Sequence, residues 1–307
     1  MKLKKLLLAL AAISISLGLT GCNAPSKNRK TTFVTSCYPI HIIMMNLTDG
    51  IEDIEVQKMS ESHSGCLHNF QLQSQDLKNI ERSSAFVING ADMENFMDKV
   101  TEENPNVKII DSSIGIDLIN DCTEHDHSHA HEEHHSHSEL NSHIWLSPKN
   151  YIAQIQNILN GLKLVDPKNS EKYEENAKNY IEKIKRLDST MHQEFEAIKN
   201  KNIITFHNAF PYFAKEFGFN IAGIINHEPG EEPNAKEILE IIDIIKGKNI
   251  NAMFVEPQYS QDTAKTIAKE TGAKIYTLDP LVTGDNSKDS YINAMTQNMK
   301  TLKTALS

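Results

Sequence analysis

The sequence predicts an α/β protein built from two (βα)4-type lobes that one long, rigid α-helix joins. Three observations support this prediction. Short runs of β-branched and apolar residues alternate with helical patterns in both halves of the chain, as in parallel sheets covered by helices. A single unbroken amphipathic pattern separates the two halves. Polar residues follow several predicted strands, and ligands bind at the carboxyl edge of such sheets.

The predicted strands and helices are short and are distributed evenly over the two halves. Strands are expected near Thr32–Ser36, Ile54–Met59, Ala85–Asn89, Val107–Ile110, Ile203–Phe206, Ile221–Ile224, Ala252–Val255 and Lys274–Leu278. Helices are expected near His41–Leu47, Ser74–Ile80, Met93–Val100, Ala209–Phe217, Ala235–Lys246, Gln261–Thr271 and Ser290–Leu306.

One long amphipathic helix is predicted between the halves. Its start is expected at Asp166-Pro167, because proline at the first helical position loses no needed hydrogen bond. The run Lys168–Lys199 would span about 45–50 Å at about 1.5 Å per residue, which is enough to cross both lobes. Apolar residues recur at steps of three and four and form one stripe. They are Tyr173, Ala177, Tyr180, Ile184, Leu187, Met191, Phe195 and Ile198.

The N-terminus has the pattern of a bacterial lipoprotein signal. A lysine-rich head precedes the apolar run Leu6–Leu19, which is too short for a membrane span of about 20 residues. The run ends in Leu19-Thr20-Gly21-Cys22, which resembles a lipobox. We therefore expect residues 1–21 to be a signal peptide and Cys22 to carry a lipid. An ordinary secretory signal with a chance cysteine is the alternative.

The other predicted boundaries follow from these patterns. Residues 22–30 are expected to tether the protein to the outer face of the bacterial cell membrane. The first lobe is predicted at 31–166, the linking helix at 167–199 and the second lobe at 200–307. The body is therefore expected to be extracytoplasmic.

Charge and cysteine content restrict the partners and the covalent links. The chain has 31 basic and 41 acidic side chains and a net charge of −10, which argues against nucleic acid as a partner. Beyond Cys22 the cysteines are Cys37, Cys66 and Cys122, an odd number that cannot all pair within one chain. A bridge between Cys37 and Cys66 is the favoured pairing, since both follow predicted strands of the same lobe.

One segment, Glu124–Ser138, consists almost entirely of histidine, acidic residues and serine. Ala130 is its single apolar residue, so it cannot bury a core and is expected to be a mobile loop. A histidine-rich tract of this kind indicates metal binding. A solvated acidic loop without a metal is the alternative. The histidines are His125, His127, His129, His131, His134, His135 and His137.

Outside that loop, three residues lie at or just past the carboxyl end of a predicted strand. His68 lies in the loop after the second strand, and His207 and Asp279 directly follow later strands. His143, which comes shortly after the histidine-rich loop, is a fourth candidate. Three imidazoles and one carboxylate fit a four-coordinate zinc site in the interlobe cleft, with bonds of roughly 2.0–2.2 Å. The alternative is that each is a lone polar residue at a strand end.

The remaining histidines are interpreted as structural or surface residues. Glu256 follows the predicted strand Ala252–Val255 and is the best substitute for Asp279 as the carboxylate ligand. The histidines without a predicted ligand role are His41, His63, His192 and His227.

Four segments match motifs of one known family. They are NGADMENF at Asn89–Phe96, FHNAFPYF at Phe206–Phe213, EPQYS at Glu256–Ser260 and LDPL at Leu278–Leu281. From about Thr32 to the C-terminus, the chain resembles the cluster A-I substrate-binding proteins of zinc and manganese ABC transporters.

The resemblance implies two lobes with the metal between them, and it gives the ligand role to His68, His143, His207 and Asp279. It implies capture of Zn²⁺ as a transported ligand and its delivery to an ABC permease with its ATPase, by a monomer that is not an enzyme. A histidine-rich acidic loop before the second ligand is typical of the zinc-specific branch of the family.

The chain departs from the family pattern at three places in the first lobe. At Phe70–Ser74 the family usually has a proline-containing stretch. Cys66-Leu67 and Asn141-Ser142 stand where the family usually has Asp-Pro. Loop geometry around His68 and His143 is therefore expected to differ from that of the family.

Three other functions stay open at this stage. A manganese-binding homologue would commonly have a carboxylate in place of His207, and imidazole suits zinc better. A zinc hydrolase would keep a coordination position for water, and the sequence has no H-E-x-x-H or G-x-S-x-G motif. In a surface zinc reservoir or adhesin, the histidine-rich loop would be the functional part.

Overall fold

Each half of the chain folds around a parallel four-stranded sheet, which confirms the predicted fold class. This computed structural model describes residues 30–59, 67, 70–120, 140–225 and 233–307. The first sheet has the order β2-β1-β3-β4 and contains β1 (Thr31–Thr35), β2 (Ile54–Lys58), β3 (Ala85–Ile88) and β4 (Ile109–Asp111). The second has the order β6-β5-β7-β8 and contains β5 (Asn202–Thr205), β6 (Asn220–Ile224), β7 (Ala252–Val255) and β8 (Lys274–Thr277).

The two sheets have the same topology, and both contain buried apolar inner strands. The inner strands β3 and β7 are short apolar runs, buried at every position, as expected for strands covered on both faces. Because all pairings are parallel, the carboxyl ends of neighbouring strands meet at one edge of each sheet. Loops that leave this edge contain three of the candidate ligands, His143, His207 and Asp279.

Helices connect the strands and form the layers on both sheets. They are α1 (Tyr38–Leu47), α2 (Ser74–Arg82), α3 (Met97–Glu103), α4 (Pro148–Val165), α5 (Ser170–Glu196), α6 (Pro211–Phe217), α7 (Ala235–Gly247), α8 (Asp262–Thr271) and α9 (Ser290–Leu306). Short 3₁₀ turns lie at Ile144–Leu146 and Pro167–Asn169.

The linking helix α5 buries the apolar stripe that the sequence predicts, from Tyr173 to Phe195. It packs against α1 and α4 of the first lobe and against α6 and α9 of the second. The helix begins at Ser170 rather than at Pro167, because Pro167–Asn169 forms a 3₁₀ turn. The exact lobe boundaries stay predictions.

The predicted helices of the first lobe omit α4, which directly precedes the linking helix α5. Ser147 caps α4, since its Oγ accepts the Asn150 N–H at 3.1 Å, and Pro148 occupies the first turn. Tyr151, Ile155 and Leu162 are buried at helical spacing. The capping serine, the proline and the apolar spacing of α4 are all visible in the sequence.

Helix α3 begins later than predicted, at Met97 instead of Met93. The residues before Met93 form a turn with positive φ angles at Gly90 (76°), Ala91 (51°) and Asp92 (58°). The turn folds back so that the Glu94 carboxylate accepts the main-chain N–H groups of Asn89 and Gly90.

One apolar core runs through both lobes and the linking helix. At its centre, Tyr151 of α4 stacks on Tyr291 of α9, with ring centroids 3.7 Å apart and an interplanar angle of 4°. The Tyr151 hydroxyl also lies 3.2 Å from the hydroxyl of Tyr180 in α5. The segment Thr31–Ser307 therefore forms one compact unit.

The predicted disulfide is wrong, and several other predictions fall outside the described residues. Cys37 is a free cysteine, so the favoured bridge to Cys66 is not present; the thiol is enclosed in the first lobe, where burial and the Glu94 carboxylate raise its pKa. Within the part of the chain that the structure describes, no helix is long and apolar enough to cross a membrane. Outside that part lie residues 1–21, Cys22, His63, Cys66, His68, Cys122, the histidine-rich loop at 124–138 and His227.

Candidate metal site

His207 lies just past the central strand β5 and is 3% exposed. Its Nδ1 contacts Oε1 of Glu256, which follows the neighbouring strand β7 and is 1% exposed. The other oxygen, Oε2, accepts a hydrogen bond from Gln258 Nε2 at 2.8 Å. With Nδ1–H donating to the carboxylate, a neutral imidazole keeps the lone pair of Nε2 for a metal.

His143 precedes the 3₁₀ turn Ile144–Leu146 in the first lobe and is 2% exposed. Its Nε2 lies 3.3 Å from Nε2 of His207, with ring centroids 5.1 Å apart and an interplanar angle of 68°. The Trp145 ring packs on the His143 ring, with ring centroids 5.1 Å apart. The structure therefore brings together one predicted ligand from each lobe.

A buried hydrogen-bond network lies behind His143. Asn89 Nδ2 donates to the carbonyl oxygen of Ser142, the residue before His143, at 2.9 Å. Gln154 of α4 donates to Asn89 Oδ1 at 3.0 Å and to Ser112 Oγ at 2.8 Å. All four residues are at most 1% exposed. The main chain next to His143 is thus fixed by residues from three other segments.

Glu94 anchors the far end of this network. Its Oε1 accepts the Asn89 N–H at 2.9 Å and its Oε2 accepts the Gly90 N–H at 3.1 Å. Burial raises the pKa of Glu94 to about 7, although its hydrogen bonds from Ser36, Asn89 and Gly90 act in the opposite direction.

Asp279 lies at the same edge of the second sheet, past β8. Its Oδ1 accepts the Leu281 N–H at 2.8 Å, and burial raises its pKa while that N–H lowers it. Asn298 holds the main chain of Asp279 through two hydrogen bonds of 2.9 and 2.7 Å. The next residue, Pro280, accepts the Trp145 indole N–H at 2.8 Å. The Asp279 loop thus contacts the turn that follows His143.

Two of the remaining histidines occupy positions consistent with their predicted roles. His41 is buried against the Thr35 hydroxyl at 3.2 Å, and burial lowers its pKa to about 4. His192 is half-exposed on α5. With Asp188 and Glu216 it forms a second group of potential ligands, whose atoms lie within 4.8 Å of one another.

Two residues near the imidazoles have roles that the sequence did not predict. Glu256 was expected at most to replace Asp279 as a ligand, but it contacts the Nδ1 side of His207. Asn141 accepts the His143 N–H at 3.1 Å. Their proximity in sequence to strand ends or to His143 is the one signal that could have identified them.

Comparison with known proteins places this arrangement in a family. The profile described as zinc-uptake complex component A, periplasmic (ZnuA), matches residues 33–305, which include both lobes. The chain belongs to this family. Within the ZnuA family, the high-affinity zinc uptake system protein ZnuA of Bacillus subtilis is 31% identical over 290 residues, covering 92% of this chain and 90% of the relative.

A second relative is longer than this chain. Zinc-binding protein AdcA of Streptococcus pyogenes is 31% identical over 317 residues, which cover 98% of this chain. The chain spans 61% of the length of that relative.

Solved structures of ZnuA-family proteins have the same fold. A crystal structure of ZnuA has a TM-score of 0.75 and 26% identity, covering 91% of this chain and 100% of that chain. A Zn(II)-bound variant of AdcAII from Streptococcus pneumoniae has a TM-score of 0.78 and 27% identity, covering 91% and 99%.

Proposed function

We propose that this protein is the extracytoplasmic zinc-binding component of an ABC importer, which captures Zn²⁺ between its lobes and delivers it to a membrane permease. His143 and His207 are the central ligands, and Asp279 and His68 complete the site. The histidine-rich loop collects zinc weakly and raises its concentration near the cleft. The protein is a carrier and has no enzymatic activity.

The observation that supports this proposal is the 3.3 Å separation between Nε2 of His143 and Nε2 of His207. Two nitrogen ligands of one tetrahedral zinc, each at about 2.0–2.1 Å, are roughly 3.3–3.4 Å apart. The Glu256 carboxylate at His207 Nδ1 is the outer-shell partner that zinc-binding histidines usually have.

The donor set favours zinc over manganese and a carrier over a hydrolase. Two buried imidazoles suit zinc, whereas manganese prefers oxygen ligands. With Asp279 and His68 added, all four tetrahedral positions have protein ligands. A catalytic zinc would instead keep one position for water.

The sequence and the relatives support the proposed membrane anchor and partners. The N-terminal pattern that ends at Cys22 is that of a lipoprotein, and a 29% identical relative from Streptococcus pneumoniae is named zinc-binding lipoprotein AdcA. We therefore assign the protein to the outer face of the cell membrane. It acts as a monomer and docks on an ABC permease, which its ATPase drives.

Zinc content and competitive zinc affinity of the unit Thr31–Ser307 test this proposal. Wild type is compared with a form lacking Glu124–Ser138, with His207→Ala and with His192→Ala. One tightly bound zinc is expected in all except His207→Ala. That variant should lose more than about 100-fold in affinity, because changes to outer-shell groups alone typically cost 10–100-fold.

Two other outcomes would change the proposed zinc site or the proposed function. Tight zinc that survives His207→Ala but is lost in His192→Ala would place it at the group of Asp188, His192 and Glu216. Loss of all tight zinc with the loop would make the protein a reservoir rather than a carrier.

A further inference from the structure

The two lobes are connected beside the imidazoles by hydrogen bonds that converge on Asn141. We propose that Asn141 is a positioning residue that couples the lobes, sets the separation of His143 from His207 and thereby slows the release of zinc. This inference rests on the proposed function.

Asn141 uses both ends of its amide and is 1% exposed. Its Oδ1 accepts the main-chain N–H of His143 at 3.1 Å, and its Nδ2 donates to the carbonyl oxygen of Asn208 at 2.7 Å. Asn208 directly follows His207. One side chain therefore joins the main chain of His143 to that of the residue after His207. The orientation of its amide is fixed because each end has a partner of the opposite kind.

Tyr212 of α6 strengthens the same connection from the second lobe. Its hydroxyl donates to the carbonyl oxygen of Asn141 at 2.7 Å and accepts the Ile119 N–H at 3.0 Å. Its ring packs with Ala91 and Ile144 in a small apolar cluster of the first lobe. Asn141 is thus held to the second lobe through its side chain and through its main chain.

These bonds must break if the lobes are to separate at this edge. Asn120 and Leu140 form an isolated antiparallel bridge, so the two chain segments that Tyr212 contacts are also paired with each other. A displacement of His143 from His207 would therefore cost the Asn141–Asn208 bond and the two Tyr212 bonds together. Such contacts, formed after the lobes meet, mainly affect dissociation rates rather than association rates.

Two conservative variants remove the coupling and leave the ligands in place. Asn141→Asp keeps an acceptor for the His143 N–H but replaces the Nδ2 donor with a second oxygen, which faces the Asn208 carbonyl. Tyr212→Phe keeps the packed ring and removes the hydroxyl. The matched control is Asn176→Asp on α5. Asn176 Nδ2 donates to the carbonyl oxygens of Leu47 and Asp49, both at 2.9 Å. Both carbonyls belong to the first lobe, so this change breaks no bond to the second lobe.

The release of zinc to an excess of chelator, followed by stopped flow, is the primary measurement. Asn141→Asp and Tyr212→Phe should each release zinc roughly 5–10-fold faster, the effect expected from the loss of about one net hydrogen bond. The association rate should change less than the release rate, and Asn176→Asp should release zinc like wild type. Urea unfolding of each protein identifies any general loss of stability.

Small-angle scattering of the zinc-free proteins gives a second measurement that does not depend on zinc. A larger radius of gyration is expected in the two coupling variants than in wild type and Asn176→Asp. Unchanged release in both variants, or equal acceleration in the control, overturns the proposal. Wild type without tight zinc would refute the proposed function instead; the coupling is then judged from scattering, and equal radii for all four proteins overturn it.

Discussion

His143 and His207 lie in contact where the two lobes meet, but the lobes position them by different means. His207 follows a central strand, and the carboxylate that contacts it, Glu256, follows the adjacent strand. His143 lies in a loop, and its position depends on Asn141 and on the buried network of Asn89 and Gln154. The geometry of a sheet is sufficient to place His207, whereas His143 is placed by the nearby Asn141 and by side chains from distant parts of the sequence.

The largest expected effects come from the two carboxylates of the second lobe, Glu256 and Asp279. Glu256→Gln should weaken zinc binding about 10–100-fold, because an amide lacks the negative charge that holds the Nδ1–H of His207 and fixes its tautomer. Competitive titration with a zinc chelator measures this change. Gln258→Ala removes only a hydrogen-bond donor to Glu256 and should lower zinc affinity a few-fold at most.

The same titration distinguishes Glu256 from Asp279 as the carboxylate ligand. If Asp279 is the ligand, Asp279→Asn should lower zinc affinity more than Glu256→Gln does. A near-normal affinity in Asp279→Asn would contradict our assignment and make Glu256 the ligand, which would remove the contrast between the lobes.

A smaller effect is expected from the network of the first lobe. Gln154→Leu removes hydrogen bonds to Asn89 Oδ1 and Ser112 Oγ and should lower the free energy of unfolding by about 1–3 kcal/mol, since buried polar partners lose their bonds. Zinc affinity should fall only a few-fold, because Asn141 still holds His143. Urea unfolding and chelator titration measure the two quantities. A loss of affinity as large as that of Glu256→Gln would show that this network, and not Asn141, fixes the position of His143.

The contrast between the lobes also explains what could be predicted from the sequence. His207 and Asp279 could be predicted at one edge of the second sheet because parallel strands bring their carboxyl ends together there, and strand patterns are local. The strands of both sheets and the apolar stripe of α5 are local patterns of the same kind.

The rest depends on contacts between segments far apart in the chain. Neither the bond from Asn89 to Ser142 nor that from Asn141 to Asn208 has any periodicity that a sequence could reveal. The contact of Glu256 with His207 needed the order of β5 and β7 in the sheet, which sequence patterns do not determine. Helix α4 is different, because its cap and its apolar spacing were present in the sequence.

The smallest expected effect tests the buried acid of the first lobe by its pH dependence. Glu94 has a pKa of about 7 in the folded protein, raised by burial from an ordinary value of 4.5. Between these two values the folded state binds a proton that the unfolded state does not, so the contribution of Glu94 to stability is greatest at low pH. That contribution is lost as the pH rises through about 7.

Glu94→Gln is permanently neutral and should remove this dependence. Relative to the variant, the wild-type free energy of unfolding should fall by about 1 kcal/mol between pH 6.0 and 7.5. Urea unfolding in the presence of a chelator measures it without zinc-linked stabilisation. Glu216, whose pKa burial also raises to about 7, keeps its own pH dependence in both proteins and cancels in the difference. If the difference between wild type and Glu94→Gln stays constant with pH, Glu94 is ionised throughout this range, and the Asn89–Gly90 turn beside Ser142 is then held by a charge rather than by a neutral acid.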